Sequence, residues 1–168
     1  MIKITVPNYN GLKKSDCKIV VLEKPGKKKK AKKKWISKKP STPYSKAITR
    51  LDTVFSKFIR QRDSIGNNCN KCCTCGRIKK NVNRQIHAGH FQKRANMSTR
   101  YDEKNVHAQC NKCNTYEGGR DFEFGLYIDK KYGPGTAEKL YITAKVGRKY
   151  LRHELDKLTE YYKGKLNE

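Results

Sequence analysis

The sequence predicts a small α+β protein: a disordered basic tail, a leading helix, a metal-clamped module of short strands, and C-terminal helices. Three observations predict it. Lysines crowd the first quarter of the chain, two C-x2-C elements sit in its middle, and apolar residues recur at helical spacing on both sides of them. The 168 residues carry 40 Lys+Arg against 15 Asp+Glu, a net charge of +25, and only 35% are hydrophobic. A length of this order gives one compact domain, and that composition excludes a large core. The longest aliphatic run, Ile19-Val20-Val21-Leu22, is far short of the ~20 apolar residues that span a bilayer. The opening Met1-Ile2-Lys3-Ile4-Thr5-Val6-Pro7 has no apolar h-region. A soluble, cytoplasmic protein without membrane partners is therefore expected.

Residues 1–44 are expected to form the lysine-rich tail. Residues 24–39 alone hold ten Lys and no acid, a block that repels itself. Its best use is loose contact with phosphates, because such contacts release condensed counterions without reading sequence. The domain is expected over 45–168. Ser45 is a plausible N-cap, and Ile48, Leu51, Phe55, Phe58 and Ile59 follow at helical spacing, which predicts a helix over 45–63 ended by Gly66-Asn67-Asn68. Residues 121–165 read as helices. The first is broken at Gly133-Pro134-Gly135, and a second stretch runs from Leu140 to Tyr162, with Gly147 as a point of interruption and Leu151, Leu155, Leu158 and Tyr162 on one face of its second half.

The module at 67–120 is organised by cysteine. Cys72 and Cys75 form one C-x2-C, and Cys110 and Cys113 another. Two such turns present four thiolates tetrahedrally, which selects zinc, and a structural Zn2+ supplies folding energy where the core is thin. Cys69 and Cys72 share the same spacing, but Gly76 follows Cys75 and permits the positive-φ turn of a knuckle, so Cys72/Cys75 is the chosen pair. Thirty-four residues separate Cys75 from Cys110, more than a plain zinc ribbon needs, and they include His87, His90, Asn105 and His107, with Asn114 directly after the last Cys. An imidazole can deprotonate water near neutral pH, and an Asn oxygen can hold a hard cation. Hydrolysis of a phosphodiester needs both.

These residues resemble the HNH (His-Me finger) nucleases, in which a zinc-clamped ββα-metal module carries a His at the end of the first strand, an Asn in the returning segment and a His or Asn opening the helix. His90, Asn105 and Asn114 take those places. The segment Cys110-Asn111-Lys112-Cys113-Asn114-Thr115-Tyr116-Glu117 is similar to that of the recombination endonuclease VII family, which implies an active-site role for Glu117 as well. A longer resemblance links Phe55 to Ile65, Cys72-x2-Cys75-Gly76, His87-Ala88-Gly89-His90-Phe91 and Asn105 to Asn114 to the phage NinG (Rap) recombination proteins, over roughly 45–165. It implies a structure-specific DNA endonuclease that acts on branched recombination intermediates, such as Holliday junctions and D-loops. It also implies a catalytic Mg2+ or Mn2+ and, by analogy with paired nicking, a homodimer. The N-terminal Cys-rich element those proteins often carry does not transfer, since only Cys17 lies there.

One departure matters. The HNH pattern usually places a metal-binding Asp before the general-base His, and this chain has Gly89. His87, two residues back on an extended strand, leaves the same side. The expectation is that His87, with Asn114 and Glu117, holds the catalytic ion in its stead. Arg77, Lys79, Lys80 and Arg84, with Lys93, Arg94, Arg100, Lys112 and Arg120, are expected to contact DNA phosphates. The competing class is a non-catalytic zinc-containing adaptor that binds nucleic acid, which the lysine tail suits equally. A restriction- or homing-type nuclease ranks lower, because no base-reading domain is evident.

Overall fold

A computed structural model describes residues 42–82 and 84–168. The expected tail therefore lies outside the described residues, save its last three, and so does Cys17. Helix α1 spans Pro43–Arg62. Its N-cap is Thr42 rather than Ser45: the Thr42 hydroxyl accepts the Ser45 N–H at 3.1 Å, and Pro43 fills the first helical position, where no amide is needed. The helix stops at Asp63, before the expected Gly66-Asn67-Asn68. Strands β1 (Cys69–Lys71) and β2 (Ile78–Lys80) form one antiparallel pair, and β3 (Ile86–His90) and β4 (Val106–Cys110) form another. A π-helical turn, Lys112–Tyr116, follows β4, and then come α2 (Asp121–Tyr132), α3 (Thr136–Lys145) and α4 (Arg152–Leu166).

The interruption expected at Gly147 divides the stretch from Leu140 to Tyr162 into two helices. The chain is extended at Val146 and resumes at Arg152, so Leu151 precedes α4 and stays 59% exposed. Leu155 and Tyr162 do face the core, with Leu158 packed partly against it. That core is the α1–α4 contact. Phe55 and Phe58 meet the Tyr162 ring at centroid distances of 4.8 and 5.0 Å, and Tyr101 closes edge-on to Phe55 at 5.7 Å.

Two smaller cores complete the packing. One consists of Cys72, Ile86, Ala108, Cys110 and Cys113, so sulfur replaces hydrocarbon at its centre. The other gathers Phe124, Ile128 and Leu140, with Cys73 and Phe91 against them. Asp63 ties the pieces together. It pairs with Arg62 at 2.8 Å, accepts the Ala108 N–H of β4 at 2.8 Å, lies 3.2 Å from His107 Nδ1, and meets Lys131 of α2 at 3.8 Å. Burial opposes its charge, but hydrogen bonds from His107 and Arg62, the Arg62 charge and that backbone N–H outweigh it and hold the carboxyl well below the usual range. Fully buried His107 belongs to this structural cluster, its ring set among Phe124, Tyr127 and Tyr132.

Candidate functional site

The knuckles come first, because they fix everything after them. The sulfurs of Cys72, Cys75, Cys110 and Cys113 lie within 4.8 Å of one another. The Cys75–Cys110 pair, at 3.8 Å, matches the ~3.8 Å edge of a tetrahedron built on ~2.3 Å zinc–sulfur bonds. These four thiols could hold a metal such as zinc. The Cys110 N–H and the Thr74 hydroxyl both approach Cys72 Sγ at 3.3 Å. Cys72 is pulled down to about 3, chiefly by the hydrogen bond from Cys73, so it is available as thiolate; burial pushes the Cys73 thiol up and keeps it a donor. Gly76 has the expected positive φ, +71°. Cys69 lies apart on β1, and Cys73 turns into the Phe124 core.

The knuckles anchor β4 and the π-helical turn, and so set Asn114 against β3. His87 Nδ1 lies 3.0 Å from the Asn114 side-chain nitrogen, and His87 Nε2 lies 2.9 Å from the Arg84 carbonyl. An imidazole whose N–H goes to a backbone carbonyl presents its other nitrogen as a ligand atom, the usual arrangement of a metal-binding His. Here that nitrogen, Nδ1, accepts the Asn114 side-chain N–H, so the two side chains are held against each other. Both line a cleft of about 900 Å³ between α1 and β3, together with His90, Arg84, Lys93 and Arg94.

His90 Nε2 lies 3.1 Å from the Arg100 carbonyl, so Nε2 carries the proton and Nδ1 keeps its lone pair. Burial lowers its pKa to about 4, the Arg94 and Arg100 charges add to the fall, and Asp52 opposes it. The ring is neutral at pH 7. The carbonyl it uses is held by a second device. Arg100 makes two hydrogen bonds to Asp52, at 3.0 and 2.6 Å, while Arg94 and the Tyr101 hydroxyl engage the same carboxylate. Burial disfavours charge on Asp52, but the bonds from Arg100 and Arg94 outweigh it and keep the group below its ordinary range.

Fully buried Asn105 clasps the loop between β3 and β4. Its Oδ1 accepts the Gln92 N–H at 2.7 Å, and its Nδ2 donates to the Gln92 and Thr99 carbonyls at 3.1 and 2.9 Å. Gly89 faces Gln109: a Cβ there would stand 2.3 Å from the Gln109 amide oxygen, so that side chain occupies the space where a residue-89 carboxylate would begin.

Other expected residues fall elsewhere. Glu117 does not line the cleft; it is exposed and pairs with Lys112 at 3.2 Å and Arg120 at 3.7 Å. These cations hold its carboxyl below the usual range. The same pairs, and Glu123 on Arg120, occupy Lys112 and Arg120, as Asp52 occupies Arg100. Of the nine cations expected on phosphate, Arg84, Lys93 and Arg94 line the cleft. Arg77, Lys79 and Lys80 are exposed in and beside β2, outside that lining. The whole α1 wall was missed, namely Thr49, Asp52, Thr53, Ser56, Lys57 and Arg60. Their spacing marks a polar helical face, and nothing local says what that face looks at.

Fold and site together define a small α+β protein built on a four-cysteine knuckle, with a histidine- and asparagine-lined basic cleft. Residues 8–168 match the family model described as bacteriophage lambda NinG protein, and the chain belongs to that family. It is 27% identical over 99 residues to the protein ninG of Salmonella phage P22, covering 58% of this chain and 45% of that one. It is 29% identical over 99 residues to the protein ninG of Escherichia phage 933W and to that of Enterobacteria phage VT2-Sa, covering 58% of this chain and 46% of each. The matched segment thus spans about half the length of these relatives. No solved structure matches the chain. No helix among the described residues is long and apolar enough to cross a membrane.

Proposed function

We propose that this protein is a metal-dependent DNA endonuclease of the HNH type that hydrolyses phosphodiesters in branched recombination intermediates. The observation that carries the reading is the half-buried, neutral His90, whose Nε2 is tied to the Arg100 carbonyl and whose Nδ1 has no hydrogen-bond partner among the described residues, in the same cleft as the His87–Asn114 couple. Burial alone lowers a histidine pKa, as it does for the structural His107, but a packing role does not call for a fixed tautomer with one nitrogen left without a partner on a residue that lines a basic cleft. The β3–β4 hairpin followed directly by a helical turn bearing Asn114 supports the ββα-metal comparison.

In this mechanism Arg84 and Lys93 draw the phosphate into the cleft. His90 Nδ1 takes the proton of a water, and the Arg100 carbonyl steadies the imidazolium that forms. His87 Nδ1 and Asn114 Oδ1 would hold the divalent ion, Mg2+ or Mn2+, once the Asn114 amide turns its N–H away from Nδ1. Bound there, such an ion stabilises charge on the phosphate and the leaving oxygen. One imidazole nitrogen in the donor set favours Mn2+ over Mg2+ relative to an all-oxygen site.

The test incubates zinc-loaded protein with four-way junction, flap, D-loop and linear duplex DNA in Mg2+ or Mn2+, beside His90→Ala. Nicking of branched DNA by the wild type, with at least a hundredfold loss in His90→Ala and unchanged DNA binding, is expected. Binding without nicking in either metal overturns the reading and leaves the non-catalytic adaptor.

A further inference from the structure

We propose that the cleft-facing stripe of α1 is a rail for a single DNA strand, gripped at its phosphates by Lys57 and Arg60. The proposal rests on the DNA reading above but not on cleavage. Thr49, Thr53, Ser56, Lys57 and Arg60 recur at spacings that keep one side of a helix, while Ala47, Leu51, Phe55, Phe58 and Ile59 bury the other. The stripe therefore forms the wall opposite His87, His90 and Asn114.

Charge says what this wall takes. Asp52 is the cleft's acid, and two arginines and a tyrosine already engage it. Lys57 and Arg60 on one wall, and Arg84 and Lys93 on the other, have no carboxylate within 4 Å among the described residues. Water solvates them, and Arg60 also donates to Ser56 Oγ, so an anion that enters the cleft meets these cations without having to displace a carboxylate. The stripe also divides its labour. The Thr49 and Thr53 hydroxyls donate to carbonyls four residues back, both at 2.9 Å. They present methyl groups and acceptor lone pairs, which suit a sugar or a base amine but repel phosphate. Phosphate contact then falls to Lys57 and Arg60, one helical turn further on.

The groove also has length. Beyond Arg60 it continues into a second hollow of about 330 Å³, lined by Lys57, Arg60, Gln61, Ser64, Asn68 and Asn81. From Thr49 to Gln61 the helix rises roughly 18 Å. The Thr49 and Thr53 acceptors suit base amines that a single strand exposes and a duplex keeps paired, so the rail takes one strand.

The test measures binding of a labelled single-stranded DNA 20-mer to the full zinc-loaded chain, without added Mg2+ or Mn2+, across a salt series. Lys57→Ala/Arg60→Ala is compared with Lys139→Ala/Lys157→Ala, which removes the same charge from exposed sites outside the cleft. Two lost phosphate contacts reduce the log–log salt slope by about 1.4 in the cleft variant. Little change is expected in the control, with melting temperature and zinc content unchanged in both. Equal slopes in the two variants, or tighter binding of an RNA 20-mer than of the DNA, overturn the proposal. Photocrosslinking of the wild type to a bromodeoxyuridine-substituted strand gives a second readout. Adducts within residues 46–61 are expected, and adducts confined to other segments refute the rail even where the variant misfolds. A protein that binds in this way yet fails to nick loses the endonuclease reading and keeps the rail.

Discussion

His90, the base of the proposed mechanism, also bears on stability. Its pKa falls from the ordinary histidine range to about 4 on folding. At pH 7.5 neither state is protonated there, and the fold has its full stability. As pH falls through about 6.5 the unfolded chain gains a proton that the folded chain refuses, so stability drains away until pH reaches about 4. Melting the wild type and His90→Asn at pH 7.5 and 5.0 checks this. The wild type is expected to lose ~1–2 kcal/mol more than the variant over that interval, an excess that common metal loss at low pH cannot create. That His90 is a base candidate was legible in the sequence from its place before the second knuckle. Its neutralising environment was not, because Asp52, Arg94 and Arg100 lie 38 residues before it, then 4 and 10 after it. Gly89 likewise read as a missing ligand, whereas its contact with Gln109 is a packing fact that only the folded register reveals.

At the scale of elements, the hairpin is positioned from its loop as well as from its strands. β3 and β4 are five residues each and pair over their full length. The loop after His90 would be free to shift without Asn105, which satisfies three backbone groups at once. Asn105→Ala leaves backbone groups of half-buried Gln92 and buried Thr99 unpaired and is expected to cost about 2–3 kcal/mol in urea unfolding. Nicking should fall further than that stability loss explains, because the Arg100 carbonyl moves with the loop. Elements with strong periodicity, α1 and α2, were readable to within a few residues. The break between α3 and α4 was readable as a point, from Gly147, but its length from Val146 to Leu151 was not, because no proline marks its ends and the extended backbone answers to tertiary packing. The polar face of α1 was visible as a face but not as a wall, because a helix pattern specifies what it buries and is silent on what stands across the water.

At the scale of the whole molecule, three small cores stand where one large core would normally be, and sulfur forms the middle one. Metal removal should therefore act globally. A chelator strong enough to strip four thiolates is expected to lower the melting temperature by well over ten degrees and to abolish near-UV aromatic signals. One equivalent of Zn2+ restores both, and Cys113→Ser is expected to bind zinc far more weakly. The cysteine spacing made this clamp legible, while the distribution of apolar residues among three clusters was decided by contacts remote in the chain. Asp63 then sets how those clusters part. It touches the end of α1, the strand below it and the helix beyond, so opening any one seam strands a desolvated anion among the others. The domain is thus riveted at one point and should come apart as a unit, without shedding its helices one after another.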